Sequence, residues 1–184
     1  MNKIKLMNKI APVGIGQFDP NGYAISADMD AADAIMVRSA VMHEYPMNPE
    51  LKAIARCGAG VNNIPVDRCA EEGIVVFNTP GANANGVKEL TIAALLLASR
   101  NIVGGVNWAN TLTENVAKSV EAGKSAYAGC EIEGKTLGVI GLGAIGGMVA
   151  NAAKALGMNV IGCDPYITIE AAWHLSRSIQ KAAT

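Results

Sequence analysis

The most constraining feature of this chain is a glycine-rich turn between two apolar segments. The apolar run Thr136–Ile140 leads into G-L-G-A-I-G at 141–146, and a helical segment then leads to a second apolar run, Asn159–Cys163. Asp164 follows that run directly. A strand, a G-x-G-x-x-G turn, a helix and a strand that ends in an acid together predict a dinucleotide-binding unit.

Each part of the turn has an expected task. Gly141 allows the tight turn out of the strand, Gly143 lets the backbone approach a pyrophosphate, and Gly146 permits close packing of helix on strand. The backbone amides of Ala144 and Ile145 open the helix, where free N–H groups and the helix dipole favour an anion.

Asp164 indicates which dinucleotide is expected. A carboxylate at the end of the second strand can accept hydrogen bonds from both ribose hydroxyls, and its charge repels a 2′-phosphate. We therefore expect NAD rather than NADP as the cofactor. The simpler alternative, a solvated loop acid, stays open for this residue on sequence grounds.

Composition excludes several other classes of function. The 184 residues carry 17% charged side chains and a net charge of -1, which gives no basic face for nucleic acid. The longest strongly apolar run, Leu90 to Ala98, is too short to span a bilayer, so no membrane partner is expected. The four cysteines form no C-x-x-C pair and the two histidines lie apart, which predicts reduced thiols in a cytoplasmic protein and no metal site.

Strand-like and helical segments alternate along the chain, which predicts an α/β protein with a mainly parallel sheet. In the first half the expected elements are a short helix over Val66–Glu72 and the strands Lys3–Met7, Ala34–Arg38, Lys52–Arg56 and Ile74–Phe77.

Beyond residue 86 we expect one long helix from Val87 to about Asn110 and a loop over Gly123–Gly129. Two strands are found after Gly134, and the tail Ile167–Thr184 is predicted as one amphipathic helix. A complete doubly wound nucleotide domain has about six strands, so the sequence resembles the front portion of a longer protein.

Further blocks in the chain carry a family resemblance. They are R-C-G-A-G-V-N-N-I at 56–64, G-I-V-V-F-N-T-P at 73–80, V-K-E-L at 87–90 and G-K-T-L-G at 134–138. Together with the glycine turn, their order and spacing resemble the D-2-hydroxyacid dehydrogenases over most of residues 35–166. The V-R-S step at 37–39 and the D-P-Y ending at 164–166 are most similar to members that oxidise D-3-phosphoglycerate.

The resemblance implies a fold and a division of the chain. It implies a flavodoxin-like substrate domain over residues 1–84, followed by an incomplete Rossmann dinucleotide-binding domain over 85–184 that includes the bridging helix 87–110. In the family the nucleotide domains pair, so a homodimer is expected of the full-length parent. The implied substrate is a small anionic 2-hydroxy or 2-keto acid, and NAD is the implied cofactor.

The resemblance also assigns site residues. It places the substrate carboxylate against the backbone amides of the G-A-G-V turn, the substrate phosphate at the V-R-S step, and the hinge asparagine in the turn before the bridging helix; Pro165 and Tyr166 join the cofactor set. The substrate residues implied in this way are Arg38, Ser39, Gly58, Ala59, Gly60, Val61 and Asn83. From the residues alone the alternatives stay open. Small residues in a strand-to-helix turn expose N–H donors to an anion, but glycines there can also serve turn geometry, and a turn asparagine can bond its own backbone. An ordinary surface position is the simpler interpretation of Arg38.

The catalytic residues of the family have no counterpart here. The family uses an arginine, a glutamate and a histidine from later strands and loops, and no position of this sequence matches them. His43 and His174 lie outside those motifs and read as ordinary loop or helix residues. We therefore expect no catalytic acid or base in this chain and no turnover from it alone. Two alternatives to an enzyme portion stay open: a non-catalytic dinucleotide-binding or interaction module, and a truncated gene product.

Overall fold

The computed structural model describes residues 1–182. The chain divides into two compact units, the first over Met1–Asn83 and the second from Ala84 onward. Each unit has its own sheet and its own apolar core.

The first unit is built on a parallel sheet of five strands in the order β2-β1-β3-β4-β5. This is the strand order of a flavodoxin-like domain, so the expected fold class is confirmed for this unit. All strands point the same way, so the segments that follow them gather at one edge of the sheet. The strands are β1 (Asn2–Leu6), β2 (Tyr23–Ser26), β3 (Ala34–Val37), β4 (Ala53–Arg56) and β5 (Val75–Phe77).

The four strands expected in this unit are present, with ends that differ by at most one residue from the expected ones. Strand β2 was not expected, because four residues with a single large aliphatic side chain carry a weak local signal. Its place comes from backbone pairing with β1, for example Ile25 opposite Ile4. Two helices accompany the sheet, the one-turn α1 (Pro12–Ile15) and α2 (Val66–Glu71), which matches the expected helix.

The central strands supply most of the first core. Ile35 and Val37 on β3 and Ile54 on β4 are completely buried, and Met42 and Cys69 pack with them. Each buried aliphatic side chain contributes about 1.5–3 kcal/mol relative to an exposed one. The core therefore holds rigidly the strand ends from which the candidate site loops emerge.

The second unit contains a parallel sheet of three strands in the order β6-β7-β8. The strands β6 (Thr136–Ile140) and β7 (Asn159–Cys163) flank the helix α6 (Gly146–Ala155), as expected for the start of a Rossmann fold. Ala150 and Ala153 on α6 are fully buried in this core with Val160 of β7.

The expected single helix over the tail Ile167–Thr184 is wrong. The tail forms a short helix α7 (Ile169–Trp173) and a third parallel strand β8 (Gln180–Lys181), so the expectation of only two strands after Gly134 is also wrong. The amide of Asn151 on α6 donates to the carbonyl of His174 at 2.7 Å and accepts from the N–H of Ser176 at 2.8 Å. This contact from a distant helix ends α7. The last two residues of the expected helix, 183 and 184, lie outside the described residues.

The expected long helix Val87–Asn110 is also wrong, because it is two helices. Helix α3 (Ala84–Ser99) and helix α4 (Ile102–Ala109) meet at an angle of 65°. Asn101 adopts a left-handed conformation with φ of 47°, which interrupts the helical hydrogen bonds. Asparagine tolerates this conformation better than most residues.

The segment after α4 is more helical than expected. A further helix, α5 (Val116–Gly123), was not expected, and a 3-10 turn at Lys124–Tyr127 occupies most of the expected loop Gly123–Gly129. Trp108 stacks on Tyr127 with ring centroids 5.0 Å apart, which anchors this turn to α4. Within residues 1–182 no single helix meets the length and hydropathy criteria for crossing a bilayer, and only the bent pair α3–α4 does so jointly.

Candidate functional site

The glycine turn follows β6 directly. Gly141 has φ of 86°, a left-handed conformation that favours glycine, and its N–H donates to the carbonyl of Cys163 at 2.8 Å. A Cβ on Gly146 would overlap the carbonyl oxygen of Gly141, whereas a Cβ on Gly143 would meet nothing within 4 Å. The turn is therefore closed at Gly146, which packs against the turn's own backbone, and open at Gly143, which marks its open side.

The open side of this turn presents unused backbone donors. The N–H groups of Gly143, Ala144 and Ile145 donate to no acceptor within residues 1–182. All three residues are exposed, and they immediately precede the ten-residue helix α6. Free donors at a helix N-terminus, reinforced by the helix dipole, suit a phosphate group.

Asp164 connects the turn to the end of β7. Its Oδ2 accepts a hydrogen bond from the N–H of Leu142 at 2.8 Å, and its Oδ1 accepts one from the N–H of Tyr166 at 2.9 Å. Each carboxylate oxygen has two acceptor positions, so each keeps one for another donor. The link to Leu142 was not expected from the sequence, which gives no sign of a contact across 22 residues.

A cavity of about 470 Å³ lies beside Asp164. Its walls are largely apolar, with the carboxylate at one side, and its size is in the range of small-molecule sites. The tail missed by sequence reasoning contributes one wall. The lining residues are Leu142, Gly162, Cys163, Asp164, Pro165, Ile167, Leu175, Ile179, Gln180, Lys181 and Ala182. Tyr166 does not line the cavity and is 90% exposed.

In the first unit, a second turn with free donors follows β4. The N–H groups of Ala59, Gly60 and Val61 donate to no acceptor in the described chain, whereas that of Gly58 donates to the carbonyl of Arg56 at 2.9 Å. Successive free amides of this kind form an anion-binding concavity.

Residues after β5 hold this turn in place. The amide of Asn78 donates to the carbonyl of Ala59 at 2.8 Å, and the N–H of Thr79 donates to the carbonyl of Gly58 at 2.9 Å. The carbonyls of Gly58 and Ala59 are thereby occupied, whereas the N–H groups of Ala59, Gly60 and Val61 stay free. In the sequence, Asn78 and Thr79 belong to the block at 73–80, and no local pattern predicts their contact with the turn.

Arg38 and Ser39 follow β3, the neighbour of β4 in the sheet. The N–H groups of Arg38, Ser39 and Ala40 converge on Oδ1 of Asn8 at 2.8, 3.1 and 3.2 Å. These amides are therefore occupied, whereas Arg38 and Ser39 are both exposed and their guanidinium and hydroxyl groups remain available. Asn8 lies 30 residues from Arg38, so no local signal in the sequence indicates this contact.

Asn83, His43 and His174 are the remaining candidate residues. Asn83 is exposed and ends the first unit. His43 places Nε2 3.0 Å from the carbonyl of Asn62. The carbonyl of His174 accepts from the side-chain amide of Asn151, and His174 lines a cavity of about 370 Å³ together with Gly143 and Ala144. Within residues 1–182 no three His, Cys, Asp or Glu side chains are grouped as metal ligands.

The four cysteines are free thiols. Cys69 lies in the first core, and burial there raises the pKa of its thiol, with a smaller contribution from Glu72. Cys130 is exposed, and Cys163 is half-buried at the wall of the cavity beside Asp164.

Comparison with known proteins identifies the family. Residues 23–174 match the family model of the D-isomer specific 2-hydroxyacid dehydrogenase, catalytic domain. The D-3-phosphoglycerate dehydrogenase of Methanocaldococcus jannaschii is 44% identical over 144 residues, which are 77% of this chain and 26% of that protein. The chain thus spans about a quarter of the length of this curated relative.

Solved structures show the same fold. The NAD⁺-bound 3-phosphoglycerate dehydrogenase of Entamoeba histolytica is 26% identical, with a TM-score of 0.65 over 92% of this chain and 56% of that one. The apo D-mandelate dehydrogenase of Rhodotorula graminis has a TM-score of 0.75 at 21% identity, over 100% of this chain and 61% of that one. The expected family is confirmed: this chain belongs to the D-isomer specific 2-hydroxyacid dehydrogenases.

Proposed function

We propose that this chain is the substrate-binding and adenosine–pyrophosphate-binding portion of an NAD-dependent D-3-phosphoglycerate dehydrogenase. The observation that supports this proposal most strongly is a dinucleotide turn with free amides, followed by an acid at the end of the next strand. The same chain is 38–44% identical to D-3-phosphoglycerate dehydrogenases. The parent enzyme would oxidise the C2 hydroxyl of D-3-phosphoglycerate in the cytoplasm.

The candidate cofactor site of the second unit fits an NAD molecule. The free amides of Gly143, Ala144 and Ile145 would hold the pyrophosphate, together with the close helix approach that Gly146 permits. Asp164 keeps acceptor positions for the ribose hydroxyls, and Pro165 lines the adjacent cavity with Tyr166 next to it in the chain. When bound, NAD supplies the acceptor for the hydride that leaves C2 of the substrate.

The candidate substrate site lies in the first unit. The free amides of Ala59, Gly60 and Val61 would bind the carboxylate, with Gly58 allowing the turn that exposes them. The side chains of Arg38 and Ser39 would bind the phosphate, and a guanidinium suits such a dianion. Asn83 belongs to this set through its family position.

We infer that the chain supplies binding groups, since no residue of the sequence matches the proton-transfer groups of the family. His43 and His174 have no counterpart among the catalytic residues of the family, and each has the backbone contact described above. We therefore expect no turnover of D-3-phosphoglycerate by the 184 residues alone. Turnover that is lost on a Gly143 substitution would contradict this expectation.

We also propose that the parent protein is a homodimer that pairs through α3 and α4. Leu90, Val103 and Val106 on these helices are 72%, 58% and 52% exposed, an apolar surface that a second copy could cover. Sedimentation of the chain as a monodisperse monomer would count against self-association.

Calorimetric titration with NAD and NADP tests the cofactor assignment. Gly143→Val adds a branched side chain in open space at one of the three residues with free amides, so we expect a folded protein with NAD affinity reduced at least tenfold. Gly138→Val is the matched control, because Gly138 lies within β6 and its Cβ position is also open. Equal affinity of both variants for NAD would refute the assignment.

A non-catalytic dinucleotide-binding module is the second candidate, favoured by the lack of a matched acid or base. Titration with D-3-phosphoglycerate separates the two proposals. Binding that is weakened by Arg38→Met supports the dehydrogenase portion. NAD binding without any phosphoglycerate binding supports the module.

A further inference from the structure

Asn63 is a buried polar residue at the centre of the first unit's binding loops. Its side chain is 9% exposed, and it makes three hydrogen bonds. The amide Nδ2 donates to the carbonyls of Ala40 at 2.7 Å and Arg38 at 3.4 Å, and Oδ1 accepts from Nε of Arg56 at 3.3 Å. One buried side chain therefore bonds the segment after β3 and the last residue of β4.

These two segments are neighbours in the sheet. Val37 pairs with Arg56 in parallel register, so the residues that follow each strand emerge at the same edge, about 4.8 Å apart. One segment carries Arg38 and Ser39, and the other leads into the amides of Ala59–Val61. Asn63 is thus a buried side-chain link between the proposed phosphate and carboxylate groups, beside the exposed contact of His43 with the carbonyl of Asn62.

The guanidinium of Arg56 is part of the same link. Besides its bond to Asn63, it donates from Nη1 to the carbonyl of Cys57 at 3.1 Å and lies against the Cα of Gly58, where a Cβ would overlap it. Any displacement of Asn63 therefore reaches the start of the free-amide turn through Arg56. Asn8 holds the Arg38 segment from its other side.

We propose that Asn63 is a positioning residue that sets the separation of the two anion-binding groups, so that a substrate with two anionic groups gains from binding both at once. This proposal rests on the proposed function. A ligand with two linked charged groups binds more tightly than either group alone only if the geometry lets both engage. Loss of Asn63 should remove that gain and leave each separate group able to bind its own anion.

The test measures affinities of the full chain for D-3-phosphoglycerate, D-glycerate and inorganic phosphate by calorimetry. In Asn63→Ala we expect D-3-phosphoglycerate to bind about tenfold or more weakly, with D-glycerate and phosphate within about twofold of the unmodified chain. Asn48→Ala is the matched control, because Asn48 is a half-buried asparagine of the same unit that bonds both side-chain atoms elsewhere. It should leave all three affinities unchanged.

Two outcomes would overturn the proposal. One is an unchanged affinity of Asn63→Ala for D-3-phosphoglycerate, and the other is an equal loss of affinity for all three ligands. Either result would mean that Asn63 has a structural role only. Failure of the unmodified chain to bind any of the three ligands would instead refute the proposed substrate site, and the proposal with it. If Asn63→Ala does not fold by circular dichroism, Asn63→Ser takes its place, because serine keeps a polar group too short to reach both segments.

Hydrogen exchange supplies a readout that needs no ligand. In Asn63→Ala the amide protons of Arg38, Ser39 and Ala40 should exchange faster than in the unmodified chain, because their segment loses the bonds from Nδ2 of Asn63 to the carbonyls of Arg38 and Ala40. In Asn48→Ala they should exchange as before. Equal protection of these amides in all three proteins would overturn the link.

Discussion

The carboxylate of Asp164 accepts a hydrogen bond of 2.8 Å from the backbone N–H of Leu142, and so joins the end of β7 to the middle of the glycine turn. The same side chain is the proposed ribose acceptor. A residue with both tasks links the shape of the turn to the choice of cofactor.

Asp164→Asn should weaken NAD binding and reduce the preference for NAD over NADP. The amide keeps a single acceptor oxygen and no longer repels a 2′-phosphate, so the ratio of the two affinities should move toward one. Loss of one charged hydrogen bond should also lower the free energy of unfolding by about 1.5–3 kcal/mol. Calorimetry with both dinucleotides and urea denaturation measure the two effects. An unchanged NAD to NADP ratio would show that Asp164 acts on the turn alone.

Gly146→Ala should destabilise the second unit far more than Gly143→Ala. A Cβ on Gly146 overlaps the carbonyl of Gly141, so the turn or α6 must shift, at a cost of about 1–3 kcal/mol. A Cβ on Gly143 enters open space. Urea denaturation of both variants is the measurement, and equal midpoints would contradict the packing described for Gly146.

Asn101→Ala should destabilise the junction of α3 and α4, and Asn101→Gly should not. Asn101 has φ of 47°, where a residue with an ordinary side chain costs about 1–2 kcal/mol and glycine costs little. Thermal unfolding of the two variants gives the comparison. A higher unfolding temperature for Asn101→Ala than for the unmodified chain would mean that α3 and α4 can form one continuous helix without a loss of stability.

Protonation of Asp33 should make the first unit less stable in acid. The N–H of Lys3 and the ammonium of Lys52 bond its carboxylate at 2.8 and 3.0 Å, and these bonds hold the pKa of Asp33 below its usual value. Because the folded pKa is lowered, the stabilisation is present above the unfolded pKa of about 3.9 and is lost as pH falls through the folded value.

The measurement is the free energy of unfolding between about pH 2 and pH 6. Asp33→Asn should reduce the rise in stability with pH, and Lys52→Met should reduce it less, because the bond from the Lys3 backbone is the larger cause and remains. Parallel curves for Asp33→Asn and the unmodified chain would rule out this contribution.

Much of the fold could be predicted because its signals are local. The signals for the helix over Val66–Glu71 and for short strands rich in β-branched or aliphatic side chains come from neighbouring residues. The expected ends of these elements are within one residue of the observed ones. The tail and the helix after Asn83 could not be predicted in this way. Asn151 ends α7 from another helix, and the left-handed Asn101 divides a segment whose apolar spacing is continuous.

The sequence by itself determined the strand–turn–helix order, the glycines that the turn needs and the acid after β7, because each depends on residue type at short spacing. Only the tertiary structure decided which donors are free. Asn8 occupies the amides after β3 from 30 residues away, Asp164 occupies that of Leu142 from 22 residues away, and Asn63 links two strand ends. Hydrogen bonds between distant residues form only when the sheet has brought those residues together, so no local pattern of residues contains them.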